Sequence, residues 1–168
     1  MYEVIFSTSW DNLVKGVTTS IFFLLVSLIF ILGLSSDSLL LTIVLITVFS
    51  SILLVPYLWT PRGYTISDRL VTVKRPIGDV RISVSQVPLR WKWTWWGLRL
   101  FGSGGLYGYF GIFAFKGIGI VRMHATNRHK LVLIRDIEGR KYLLSPDEPE
   151  RFIQQTQTPF PTQTTAFP

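Results

Sequence analysis

The sequence predicts an α+β membrane protein: a two-helix transmembrane hairpin followed by a small antiparallel β-barrel or sandwich with a short C-terminal helix. Three observations carry this. Val17 to Leu34 and Leu39 to Trp59 are uncharged apolar runs of 18 and 21 residues, joined by the polar stretch Ser35 to Ser38. After Pro61 the apolar period shortens from helical to two, and turn residues break the chain at short intervals. The last charged stretch, Ser145 to Gln155, begins with prolines and acids and then turns apolar at Phe152 and Ile153.

A helix rises about 1.5 Å per residue and a hydrocarbon core is about 30 Å thick, so each run is long enough to cross. Neither run alternates apolar and polar residues as a barrel strand does, and Asp37 is the only charge between Lys15 and Arg62. A soluble helix would carry a polar stripe, and only Ser and Thr interrupt these runs. A cleaved signal peptide is disfavoured by Glu3 and Asp11 ahead of Lys15 and by the lack of a small-residue cleavage site after Leu34. Lone hydroxyls such as Thr18, Thr42 and Thr47 are expected to bond their own helix backbone.

Charge sets the orientation. Residues 62–151 hold sixteen Lys/Arg against seven Asp/Glu, whereas the connecting loop holds no base. Basic residues beside a span stay cytoplasmic, so Lys15, Arg62, Arg69, Lys74 and Arg75 are the expected charge anchors, with both termini inside and Asp37 outside. Trp10, Tyr57 and Trp59 flank the runs and are expected as interfacial anchors, since amphipathic rings favour the headgroup level. The expected organisation is an N-terminal cytoplasmic segment at 1–16, the hairpin at 17–59, a β domain at 60–155 and a disordered Thr/Pro-rich tail at 156–168. The chain has no cysteine, which excludes disulfides, thiolate metal sites and cysteine nucleophiles.

Strands are expected at 64–67, 70–75, 80–84, 118–125, 130–137 and 141–144, with Ser145/Glu148 or Asp147/Glu150 as a capping box for the final helix. Between them, residues 90–119 combine Trp91, Trp93, Trp95 and Trp96 with eight glycines and a run of aromatics. Three readings of this block stand side by side. The tryptophans are core and the glycines a bent loop; or the block faces the membrane, with rings at the headgroups and bases on anionic lipid; or it is a contact surface. The candidate surface residues are Arg90, Trp91, Lys92, Trp93, Trp95, Trp96, Tyr107 and Tyr109. Gly102 to Gly105 has neither dinucleotide-binding nor Walker spacing. Bases interleaved with aromatics also suit single-stranded nucleic acid, but a cationic domain held at the inner leaflet already has an anionic neighbour, so no nucleic acid is expected.

Catalytic signatures are lacking. His124 and His129 are five apart, not the spacing of a strand or helix metal pair, and no G-x-S-x-G occurs. No cofactor or metal is expected, and the expected partners are membrane lipids and a membrane protein or a second copy.

Gly63 to Ile66, the glycine-rich stretch 100–111, Ala125-Thr126, Val132 to Ile134, Gly139 with Tyr142, and Ser145 to Phe152 follow one another in an order that resembles the bacterial PH-like (pleckstrin-homology-like) domain of short two-helix prokaryotic membrane proteins. The resemblance spans about residues 60–155 and implies a bent, seven-stranded barrel-like sheet plugged by a C-terminal helix. It departs in two places. The last helix is short, and of the basic pattern with which eukaryotic relatives hold inositides only Lys74 and Arg81 are matched, with Ser83 where a base is wanted. The resemblance implies no common activity; the lack of a catalytic constellation makes a non-enzymatic interaction module the expectation, with an accessory subunit of a membrane enzyme or transport complex as the alternative.

Overall fold

A computed structural model describes residues 3–35, 38–67, 69–93 and 97–157. The chain order is β1 (Val4–Ser7), α1 (Asn12–Ser35), α2 (Leu39–Trp59), β2 (Gly63–Ser67), β3 (Leu70–Lys74), β4 (Val80–Ser83), β5 (Leu89–Arg90), β6 (Gly97–Gly104), β7 (Tyr109–Phe115), β8 (Gly119–Ala125), β9 (Val132–Arg135), β10 (Lys141–Leu144) and α3 (Pro149–Gln157).

Both long helices are apolar enough to cross a membrane, with mean hydropathies of 2.5 and 2.6. α1 starts at Asn12, five residues before the apolar run, because Asp11 caps it: the Val14 N–H donates to the Asp11 carboxylate at 2.8 Å. Ser38 caps α2 through the Leu41 N–H. The hydroxyls of Thr42 and Thr47 donate to the carbonyl four residues back, as expected, and those of Ser35 and Ser51 do the same. Thr18 does not; it accepts from another element, described below. Asp37 lies outside the described residues.

The strands form two sheets, in the order β1-β2-β3-β4 and β5-β9-β10-β8-β7-β6. They stack as a sandwich and do not close into a barrel. Pairing is antiparallel except between β10 and β8, which run parallel, so the expected all-antiparallel sheet is corrected at one ladder. That ladder needs a crossover, and β9 with its flanking turns supplies it.

The N-terminal segment is not a mere lead-in. β1 pairs with β2, Val4 opposite Ile66 and Ser7 opposite Gly63, so the whole helical hairpin is inserted between two adjacent strands of one sheet. A core of Phe6, Tyr64, Ile66, Val71, Val73 and Ile82 meets Val132, Ile134, Tyr142, Leu144 and Phe152 of α3. The opposite face of the second sheet builds another core from Phe113, Phe115, Val121, Met123, Leu131 and Leu143, reaching Val14 of α1. β9 and β10 are thus covered on both faces, which explains their unbroken apolar runs.

The glycine-rich block is mostly strand, not loop. Gly102 and Gly111 face each other across β6 and β7, with φ of 106° and 118°. A Cβ on Gly102 would sit 2.0 Å from the Phe110 carbonyl oxygen, and one on Gly111 would sit 2.2 Å from that of Phe101. Only glycine permits this approach.

α3 corrects two expectations. Neither capping box forms: Ser145 Oγ accepts from the Thr126 and Asn127 N–H groups, and Asp147 accepts from Ser7, Ser9 and Lys130. Instead, Pro149 occupies the first helical position, where its missing N–H costs nothing. Thr156 and Gln157, assigned in the sequence to the tail, belong to this helix, and Thr156 is buried.

Candidate functional site

The site is the junction where the hairpin meets the sandwich. Three connections, far apart in sequence, converge there. In the first, Asp11 is only 5% exposed and does more than cap α1. It accepts from the Arg128 N–H and Nε, both at 3.1 Å, and from the Tyr109 hydroxyl at 3.2 Å. Burial alone would raise the Asp11 carboxyl pKa, but the N–H groups of Val14 and Arg128 and the Arg128 guanidinium hold it below its ordinary value. Burial, then the Asp11 charge, push the Tyr109 phenol upward, so it remains a donor. Arg128 in turn lies over the Trp93 and Tyr109 rings, 6.0 and 5.9 Å from their centroids.

The second connection is the β6–β7 turn. Tyr107, at φ 58°, reaches onto the helices: its N–H donates to Thr18 Oγ1 at 3.0 Å, and its ring packs edge-on to Trp10 and Tyr57. Gly105 lies close beside Leu13 and Val17, where a side chain would press on both. The third connection is at α2, where the Ile77 N–H donates to the Leu58 carbonyl at 3.2 Å and Arg62 lies over the Tyr57 ring at 4.6 Å.

Beside this junction runs a cleft of about 450 Å³, walled by Val17 and Ile21 of α1, by Val55, Pro56 and Trp59 of α2, and by β6. A second cleft of about 570 Å³ is lined by Arg90, Trp91, Lys92, Trp93, Arg128 and His129. Phe101 of the first cleft belongs to the outer face of β6–β8, which carries exposed apolar side chains beside Arg122: Leu98, Phe101 and Ile120 are 66%, 63% and 65% exposed. In register, Leu98 and Ile120 both flank Ala114, while Phe101 lies opposite Ile112.

The expected surface residues divide. Arg90 and Lys92 are exposed, and Arg90 pairs with Glu150 at 3.4 Å. Trp91 and Trp93 are half-buried in irregular chain and pack on the second core, so they do not form one face of a strand. Tyr109, 2% exposed, is a core residue and not a surface one, because its hydroxyl is drawn inward by Asp11. Tyr107 is half-buried, wedged between the helices rather than free. Trp95 and Trp96 lie outside the described residues.

Of the expected ring anchors, Tyr57 and Trp59 remain exposed at the end of α2, while Trp10 is half-buried against Tyr107. Of the expected charge anchors, Lys15, Arg62 and Arg69 are exposed. Lys74 is committed to Asp79 at 3.1 Å and Arg75 to the Gly78 carbonyl. Of the two first-hairpin bases that matched the inositide pattern, Lys74 therefore already has a partner.

Asp11 was missed in the sequence as a functional residue. Its signal was present: an aspartate immediately before Asn12-Leu13-Val14 is a helix N-cap. His124 is held neutral, its pKa lowered to about 4 by burial and then by Arg75 and Arg122, and its ring stacks on Tyr142. It faces the sandwich.

A two-sheet sandwich ending in a packed helix, with the glycine-rich hairpin at one edge of its larger sheet, defines a PH-like domain. The bacterial PH domain family matches residues 62–158, and this chain belongs to that family. Comparison with curated proteins and with solved structures finds no match for the chain.

Proposed function

We propose that this protein is a non-enzymatic, membrane-anchored PH-like module at the cytoplasmic face, presenting its domain to lipid headgroups or a protein partner. One observation carries the reading: the two apolar helices are inserted between paired strands β1 and β2. Strands that share a ladder lie about 5 Å apart, so both helix ends emerge on one side of the bilayer. The bases that follow the second span closely, Arg62, Arg69, Lys74 and Arg75, favour the cytoplasm for that side. The domain is then held at the headgroups by its own topology, with the apolar face of Leu98, Phe101 and Ile120 available there.

A second reading, an accessory subunit of a membrane enzyme or transport complex, is favoured by α2, which buries no residue along its length. Purification of the full chain in mild detergent separates the two. Recovery alone, with retained lipid, supports the module; a stoichiometric membrane protein that survives the wash supports the subunit. Recovery in the soluble fraction without detergent overturns both.

A further inference from the structure

The cleft at the junction has an amphipathic lining. Its helix wall is formed by residues of the two apolar helices, Val17 and Ile21 on one and Val55 on the other, and its opposite wall includes Phe101. Arg99 is the only charged residue lining it, and among the described residues no ion pair or hydrogen bond engages its guanidinium. The Arg99 side chain runs beside Gly104, where a Cβ would lie 3.4 Å from Arg99 Cδ and Nη1, an ordinary contact. The cleft thus sets one exposed cation, unpaired among the described residues, beside walls of methyls and rings.

From this we infer that the cleft holds one anionic phospholipid, its phosphodiester on Arg99 and the start of one acyl chain along Val17, Ile21 and Val55. A planar guanidinium with its donors unspent suits a phosphate, and the pair is charge-assisted. At about 450 Å³ the cleft accommodates the glycerol-phosphate region and not a whole lipid, so the remaining chain continues down the helices into the bilayer. An apolar wall next to the cation selects a lipid over a free phosphate, which has nothing to bury there. The position differs from the first hairpin, where Lys74 is paired with Asp79.

The inference rests on the membrane-anchored reading, and the two fail differently. If anchoring is wrong, the protein leaves the membrane fraction; if the cleft is wrong, it stays there and lipid retention ignores Arg99. The test uses the full chain in nanodiscs of phosphatidylglycerol and phosphatidylcholine, then mild detergent exchange and native mass spectrometry of what stays bound. The expected result is one retained phosphatidylglycerol. Arg99→Ala should weaken retention about tenfold, the scale of one charged hydrogen-bonding group, while Arg99→Lys keeps most of it. Ile21→Trp, which fills the cleft with the charge intact, should also release the lipid, and unchanged circular dichroism and elution volume show that each variant is folded. Equal retention by wild type and Arg99→Ala overturns the inference, as does equal retention of phosphatidylcholine. Displacement by millimolar inorganic phosphate also overturns it, marking a site for a soluble anion.

Discussion

Asp11 concentrates several tasks in one carboxylate. It starts α1, holds Arg128 and receives the Tyr109 hydroxyl, all within a setting almost closed to water. Removing one partner of such a pair leaves the other charge uncompensated. Asp11→Ala is therefore expected to cost about 3 kcal/mol, at the lower end for a broken buried pair. Asp11→Asn retains an acceptor for the cap and should cost less; thermal unfolding of both variants in detergent checks the order. The pH dependence follows from the lowered pKa. Since the carboxyl is more acidic folded than unfolded, its contribution is complete well above the unfolded value of 3.8 and declines as pH falls through that value toward the folded one. Acid titration should show a smaller loss in Asp11→Asn than in the wild type, the remainder coming from Asp136 and Asp147, whose carboxyls are also held below their ordinary values.

At the scale of elements, the β6–β7 hairpin is the part that joins sandwich to helices, and its geometry depends on a few backbone positions. Gly102 and Gly117 both have positive φ, 106° and 98°, but only Gly102 has a carbonyl where a Cβ would go. Gly117→Ala should cost about 1 kcal/mol, the conformational penalty alone. Gly102→Ala adds a backbone collision that no rotamer relieves and is expected to exceed about 3 kcal/mol. Limited proteolysis, reading cleavage within 97–115, distinguishes the two. α3 shows the same dependence on neighbours: Asp147 caps nothing because Lys130, Ser7 and Ser9 claim its oxygens. A capping box in the sequence is an offer that tertiary partners can outbid.

For the whole molecule, insertion of the hairpin between β1 and β2 is the organising fact. A fragment beginning at residue 62 lacks β1, the Asp11 latch and Val14, so it exposes the edge of β2 and opens the second core. The topology predicts that reporters fused before residue 1 and after residue 168 respond alike, and the proposed orientation makes both cytoplasmic. A reporter inserted at 36–37, between the two helices, should respond as external under the same orientation. Opposite responses at the two termini are incompatible with β1 pairing to β2.

What the sequence determined by itself was local. Two uncharged runs of 18 and 21 residues need no distant partner to be apolar, and period-two segments broken by Ser67, Gly78 and Gly139 placed β2, β3, β4, β8, β9 and β10 within two residues at each end. Even the family was legible there, because turn and strand signals follow in a fixed order. Only the tertiary structure decided the rest. Val4 to Ser7 becomes a strand because β2, some 60 residues on, offers an edge. Tyr109 turns inward because Asp11, 98 residues earlier, awaits its hydroxyl. Glycine and aromatic residues suit a loop, a strand or a membrane face equally well, so residues 97–115 are resolved by pairing and burial, which are long-range properties.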